Sequence, residues 1–412
     1  MNYDVGIIGG GAAGFFCAIQ IKELNPKLSV VIIEKTSKTL SKVRISGGGR
    51  CNVTHHCFEP KKLSEFYPRG GKYLKHWFKE FGPTEMIQWL AQNRVFVYDE
   101  PDGRMFPTTN DSETIAHLFE QKVRKLNIEV LLNSQVKSIQ PLAPSQGYDL
   151  EIFPEPESLK VQNLVISSGG FNTEKTKKYL EKLDLEITPT VPSLFTFNIP
   201  NLDLHALSGV SVPLAHVRIA GVKQIFSGPL LITHWGLSGP AILKSSAWLA
   251  NDFAERNYQF HCLISWIPYS SQNEAREIFD ERMKANPQKL WKNANIFELP
   301  NRLWEFILDQ AGIPSQLKIV DTKKADINRV FEYCINMPFE VSGKTTFKEE
   351  FVTAGGIDLK EVNFKTMESK ILPNLFFAGE ILNIDAITGG FNFQNAWTGG
   401  FIVAENIGKK LP

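Results

Sequence analysis

The chain has little cysteine and no surplus of charge. Cys17, Cys51, Cys57, Cys262 and Cys334 are scattered over 412 residues. They form no C-x-x-C pair and no zinc-ligand spacing, so free thiols in a reducing compartment are expected and no metal site. Cys51 and Cys57 stand at the wrong spacing for the usual redox couple. With 45 basic and 44 acidic residues the net charge is +1, which gives no global field toward nucleic acid or an anionic membrane. A basic–aromatic stripe is missing too, so no nucleic-acid partner is expected. Long apolar runs are also lacking. Val5 to Ile21 is broken by glycines, follows Asp4 where a signal peptide would be basic, and is short of the about 20 residues a bilayer span needs. A cytoplasmic protein follows as the expectation. There is no internal repeat and no long low-complexity tract.

What is present begins at once. Val5-Gly-Ile-Ile-Gly9-Gly-Gly11-Ala-Ala-Gly14 follows a strand-like run, Tyr3 to Ile8, and opens a helix-like one, Ala12 to Leu24. Glu34 ends the next apolar run, twenty residues after Gly14. A dinucleotide-binding βαβ unit needs this context. Gly9 permits the tight turn, Gly11 lets the backbone approach a pyrophosphate, and Gly14 lets helix and strand pack closely. Ala12 and Ala13 open the helix, whose N-terminus offers N–H groups and partial positive charge to phosphates. Glu34 would accept from ribose hydroxyls, with Lys35 beside it.

Three further blocks carry chemistry. Lys42-Val-Arg44-Ile-Ser46-Gly47-Gly48-Gly49-Arg50-Cys51-Asn52 holds three consecutive glycines, costly to order unless backbone N–H groups must face an anion or a flat ring. Ser46, Arg50 and Asn52 add donors. Ala378-Gly379-Glu380, followed by Thr388-Gly389-Gly390-Phe391-Asn392, reads as a strand end and a Gly pair opening the last helix. That helix N-terminus would stabilise negative charge. Gly228 to Pro240 delivers His234 and Trp235 from a strand into a Gly/Ser/Pro loop. His234 is the candidate acid, base or donor facing a substrate, and Arg50 is the second catalytic candidate.

At 412 residues two or three domains are expected. The pattern predicts a helix over 72–92 split at Pro83, and another over Ser112 to Leu126 with Ser112 as N-cap. Short strands follow at Ile128–Leu132, Val136–Gln140, Tyr148–Phe153 and Val161–Ser167, the last running into Ser168 and Gly169. Residues 190–268 read as β-rich, 269–332 as helical, and 346–412 as a return to strand, Gly turn and helix. The fold class expected is α/β: a Rossmann-like, three-layer domain with a mostly parallel sheet and a β-meander. Its first part is 1–189 and its C-terminal part 346–412. The insert has a β-rich part, 190–268 with about 333–345, and a helical part, 269–332.

These blocks resemble the YhiN/BaiN-like family of FAD-dependent flavoproteins, also known as the aminoacetone-oxidase family. The matching stretches are KVRISGGGRCNVT (42–54), GRMFP (103–107), LLITHWGLSGPAIL (230–243), FVTAGGIDLKEV (351–362), TMESKILPNLFFAGE (366–380) and TGGFNFQNAWTGG (388–400). The resemblance implies FAD, and an insert made of a small β-barrel and a helical subdomain. Gly9, Gly11, Ala13, Gly14 and Glu34 would hold the ADP half. Ser46, Gly47, Gly48, Arg50, Cys51 and Asn52 would lie near the pyrophosphate or ring, with Lys42 beside them. Val136 would place backbone at the adenine. Ser168, Gly169, Gly379, Glu380, Asp385, Gly389, Gly390, Phe391 and Asn392 would serve the rest of the cofactor. Departures stand at Pro229, where many members have an acid, at Leu382-Asn383-Ile384-Asp385-Ala386, and after Gly170.

The expected function is an FAD-dependent oxidoreductase acting on a small molecule, with NADH or NADPH as transient reductant. No second glycine fingerprint is present, so a nicotinamide would have to visit the flavin face itself. The alternatives are an amine-type oxidase using oxygen, and a non-catalytic or RNA-acting flavoprotein.

Overall fold

The computed structural model describes every residue except 144–145, 155–157, 171–178, 181, 270, 346–351 and 411–412, and the side chain of 410. The chain divides into two compact units, Met1–Ser193 with Phe347–Pro412, and Leu194–Thr346.

The first unit is built on a seven-stranded sheet. Asn2–Ile8 lies between Val30–Ile33 and Ser158–Ile166, parallel to both. Glu129–Leu131 extends one side in parallel, and Leu375–Phe377 joins Ser158–Ile166 in parallel. Tyr148–Phe153 and Gln135–Pro141 complete it as an antiparallel meander. The central strands read as unbroken apolar runs because both faces are covered: Val30–Ile33, Leu164–Ile166 and Leu375–Phe377 are buried throughout. Ile8 faces Ile33 on one side and Ile166 on the other, and Phe377 faces Ile166. Four strands therefore end at one level.

The helix Ala12–Leu24 packs against the closing helix Phe391–Lys410. Small residues let the two approach: a Cβ at Gly400 would stand 3.0 Å from Ala13 O, and one at Gly408 3.0 Å from Leu24 Cβ. Phe16 gathers Phe81, Trp89, Phe119 and Trp397 around it at 5.1–6.2 Å between centroids. The expected break at Pro83 is present, between the helices Gly71–Trp77 and Pro83–Gln92. Ser112 differs from expectation. Its hydroxyl does not cap the helix Glu113–Lys125 but donates to Arg44 O at 2.6 Å, while Asp111 Oδ1 accepts the Glu113 N–H at 2.9 Å. Ser112 is thereby spent on tying this helix to the glycine block.

The second unit holds a seven-stranded antiparallel sheet. Its two outermost strands, Met337–Ser342 and Lys344–Thr345, are separated by Gly343 alone, so the sheet curls back toward closure. The helices Gln272–Ala285, Asn301–Gln310 and Lys324–Ile335 share one core with the sheet, in which Trp266, Trp291 and Trp304 are buried. Two helices, Pro240–Trp248 and Ala250–Glu255, also interrupt the stretch read from sequence as β-rich.

Candidate cofactor site

The level strand ends of the first unit bring together Gly9–Gly11, Glu34, Ser167–Gly170 and Ala378–Glu380. Ligands of open parallel sheets bind outside such carboxyl ends. Ser167 locks the junction: its N–H donates to Ile8 O at 2.8 Å and its hydroxyl donates to the same oxygen at 3.1 Å. Gly9 has φ +113°, and a Cβ there would stand 2.5 Å from Ser167 O. A Cβ at Gly14 would stand 2.1 Å from Gly9 O, whereas one at Gly11 meets nothing within 4 Å. Two glycines are thus needed for packing, and the middle one leaves open space where a phosphate would approach.

Glu34 spans this turn. Its Oε2 accepts the Gly10 N–H at 2.8 Å, and its Oε1 accepts the Thr36 N–H and hydroxyl at 2.9 and 2.8 Å. Lys35 next to it is exposed. Ser134 N–H donates to Glu34 O at 2.9 Å, so the turn leading to Val136 adjoins Glu34. Val136 itself is buried and pairs with Ile152 ahead of a register shift.

The second glycine block begins as helix. Ser41 to Ile45 is helical, then Ser46 is extended and Gly47, Gly48 and Gly49 all have positive φ, at 59°, 69° and 83°. A Cβ at Gly48 or Gly49 would meet nothing within 4 Å, so openness and left-handed backbone both explain the run. Lys42 Nζ pairs with Glu380 Oε2 at 2.6 Å, and Glu380 Oε1 accepts the Thr353 N–H at 2.9 Å. Ser46 Oγ donates to Val43 O. Arg50 pairs with Glu100 at 2.7 Å and lies 4.0 Å over the Phe106 ring. Cys51 is buried, and burial pushes its thiol up to about 12, against the opposing hydrogen bond of Ser46. It is not a thiolate at neutral pH.

The chain's return completes the arrangement. Gly379 has φ +78°, and a Cβ there would stand 3.0 Å from Ala13 Cβ. Gly169 and Gly170 flank the Glu380 carboxylate, and Ser168 Oγ lies 3.1 Å from the Tyr179 hydroxyl. Gly390 sits on Thr54 O and Asn52 Oδ1, where a Cβ would come within 2.4 and 2.8 Å. Asn52 Oδ1 accepts the Met105 N–H at 3.2 Å. Asn392 closes the loop on itself by bonding both Ala386 N–H and Ala386 O, at 3.0 and 3.2 Å. Asp385, fully buried, accepts from both Arg69 guanidinium arms and from Ser193 Oγ at 2.8 Å.

Sequence reasoning missed several partners. Thr54 Oγ1 donates to Gln394 Oε1 at 2.6 Å, Trp397 Nε1 to Val53 O at 2.9 Å, and Tyr67 hydroxyl to Phe391 O at 2.5 Å. His55 Nδ1 lies 2.9 Å from Gly389 O, with its ring 4.4 Å from that of Phe391. Burial holds its imidazole below the ordinary range. The available signal was position, since His55 directly follows the Gly-rich block. His234 belongs to the second unit. It is exposed in the tight turn between Ile225–Thr233 and Gly236–Ser238, a hairpin instead of the expected loop.

These residues fit FAD. The βαβ turn supplies open N–H groups, Glu34 an acceptor, and Gly47–Gly49 an open left-handed backbone. Two buried amide oxygens of the returning segment, Asn383 Oδ1 and Asn395 Oδ1, have no hydrogen-bond partner among the described residues. No group of His, Cys, Asp and Glu among the described residues could hold a metal, and no described helix is long and apolar enough to cross a membrane.

A family model described as HI0933-like protein Rossmann domain matches residues 3–406. A ribosomal RNA dihydrouridine synthase of Haemophilus influenzae is 27% identical over 413 residues, 98% of this chain and 98% of its own. A 3-dehydro-bile acid delta(4,6)-reductase of Clostridium scindens is 22% identical over 411 residues, 97% of each. A solved 3-ketosteroid delta1-dehydrogenase of Sterolibacterium denitrificans superposes with a TM-score of 0.54 over 100% of both chains at 13% identity, a likeness of fold.

Proposed function

Because the chain belongs to the HI0933-like Rossmann-domain family and is an FAD-dependent oxidoreductase, we propose that it reduces a carbon–carbon double bond conjugated to a carbonyl, in a uracil ring of ribosomal RNA. The observation that carries this reading is the full-length similarity to a ribosomal RNA dihydrouridine synthase. Dihydrouridine is uridine with two hydrogens added across such a bond. The delta(4,6)-reductase is named for bonds of the same kind, and it supports a second reading in which the substrate is a small enone. The RNA reading departs from the expectation of a small-molecule substrate and no nucleic-acid partner, which rested partly on the near-zero net charge and the missing basic–aromatic stripe.

Bound FAD supplies hydride chemistry at its ring. The chain's own residues do the rest. Glu34 and the Ala12–Leu24 helix N-terminus would hold the ribose and pyrophosphate. Gly47–Gly49 would present backbone to the cofactor. The closing helix N-terminus would stabilise negative charge at the pyrimidine edge. NADH or NADPH is the proposed electron source, and His234 the proposed proton donor.

The test is anaerobic. Purified yellow protein is mixed with NADH or NADPH, and bleaching within seconds is expected. Addition of a ribosomal RNA transcript should restore the colour, and digested nucleosides should contain dihydrouridine. RNA that stays unmodified while a small conjugated enone is reduced would replace the first reading with the second. Peroxide from an amine without nicotinamide bleaching would sink both. His234→Gln should lower turnover with FAD content unchanged, and unaltered turnover would remove it as donor.

A further inference from the structure

Within the second unit, two segments bounded by Glu281, Glu298 and Asp321 concentrate cations. Residues 282–297 include Arg282, Lys284, Lys289 and Lys292 and no carboxylate, and residues 315–320 include Lys318 and none. In a chain whose charges nearly balance, such runs stand out only if folding brings them together. It does. Trp291 N–H donates to Leu317 O at 3.0 Å, Lys292 N–H to Ser315 O at 3.0 Å, and Ile319 N–H to Lys289 O at 3.1 Å.

The base is anchored. Trp291 is buried, its Nε1 donates to Thr322 Oγ1 at 2.8 Å, and its carbonyl accepts from Trp304 Nε1 at 2.8 Å. Lys284, Lys289, Lys292 and Lys318 are exposed. Among the described residues, Lys318 alone of these four has a side-chain bond, to Gln288 Oε1 at 3.4 Å. Beside them opens a recess of about 330 Å³, lined by Arg282, Asn286, Lys289, Asn293, Asn295 and Glu298. Arg282 lies 3.3 Å from the Glu298 carboxylate, so this pair adds no net charge to the recess, whose positive charge comes from Lys289.

We infer that this face binds the sugar–phosphate backbone of RNA, with the recess receiving one nucleotide. Separate, uncommitted lysines match a polyanion with a charge at every residue better than any single small anion. The recess has the size of a ligand pocket, and its asparagines carry both donors and acceptors. The inference rests on the reading of RNA as substrate.

The experiment uses FAD-loaded full-length protein and a fluorescently labelled ribosomal RNA fragment, with anisotropy followed against salt. In the triple variant Lys284→Gln, Lys289→Gln, Lys292→Gln, affinity should fall at least about tenfold at low salt. The slope of log affinity against log salt should drop by about 2, the release expected for three single-strand phosphate contacts. The flavin spectrum and NADPH oxidation should be unchanged, which excludes misfolding. A variant with wild-type affinity and slope would overturn the assignment of this face, even while the wild type binds and reduces RNA. A wild type that neither binds nor reduces RNA would overturn the RNA reading itself, and this inference with it.

Discussion

Gly14 leaves no room for a methyl group, because a Cβ there would stand 2.1 Å from Gly9 O and 2.7 Å from Ser167 Oγ. Backbone cannot yield as a side-chain tip can. Gly14→Ala should therefore cost at least about 1–3 kcal/mol in denaturant unfolding and should release FAD as the turn shifts. Glu34→Ala removes a charged acceptor. Loss of one such bond, about 1.5–3 kcal/mol, corresponds to roughly 10- to 150-fold weaker FAD retention. Dialysis followed by visible absorbance measures it, and a mutant as yellow as the wild type would sink the assignment. His55 gives a pH dependence. Its folded value lies below the ordinary imidazole value because burial disfavours the cation. The unfolded chain then binds the proton more readily, so the contribution of His55 is present above about 6.5 and is lost as pH falls through its lower folded value. His55→Gln should flatten stability against pH in that window, as followed by thermal unfolding at several pH values.

The strand ends and helix starts of the first unit were largely legible, because period and glycine placement are local properties. Tyr3–Ile8 and Val161–Ser167 were visible as apolar runs, as were the fingerprint and the break at Pro83. What the sequence hid were pairings over distance. Arg69 and Asp385 are 316 residues apart, and nothing in either neighbourhood announces the other. Ser112 looked like a cap because caps are recognised locally, whereas its hydroxyl is used by Arg44 O. The short helix over 41–45 was not legible, since three glycines follow it after Ser46. The Arg69–Asp385 element also makes a prediction. Asp385 is fully buried, and Asp385→Asn would strand a largely buried guanidinium. The expected loss is about 3–5 kcal/mol, and replacing both partners by apolar residues should recover much of it. Unfolding of the two single variants and the double variant checks this as a cycle. A double-variant loss equal to the sum of the two single losses would show that the residues act independently and not as a charge pair.

The molecule is assembled around an interruption. The chain leaves the first unit along Ile187–Ser193 and returns along Val352–Ile357, its antiparallel neighbour, with Ser193 opposite Val352. Replacing 194–351 by a short turn should therefore leave a unit that still binds FAD and, on the proposed reading, has lost RNA reduction. A colourless or unfolded product would show that the second unit is needed for the first to stand. The packing of Gly400 on Ala13 has a further effect, in time. The helix carrying Ala13 is made 387 residues before Gly400 of its partner. At about 5–20 residues per second, the nascent fingerprint waits tens of seconds with its apolar side uncovered. Flavin capture then waits until Gly400 is made, and synthesis interrupted before it should yield a product that is colourless and prone to aggregate.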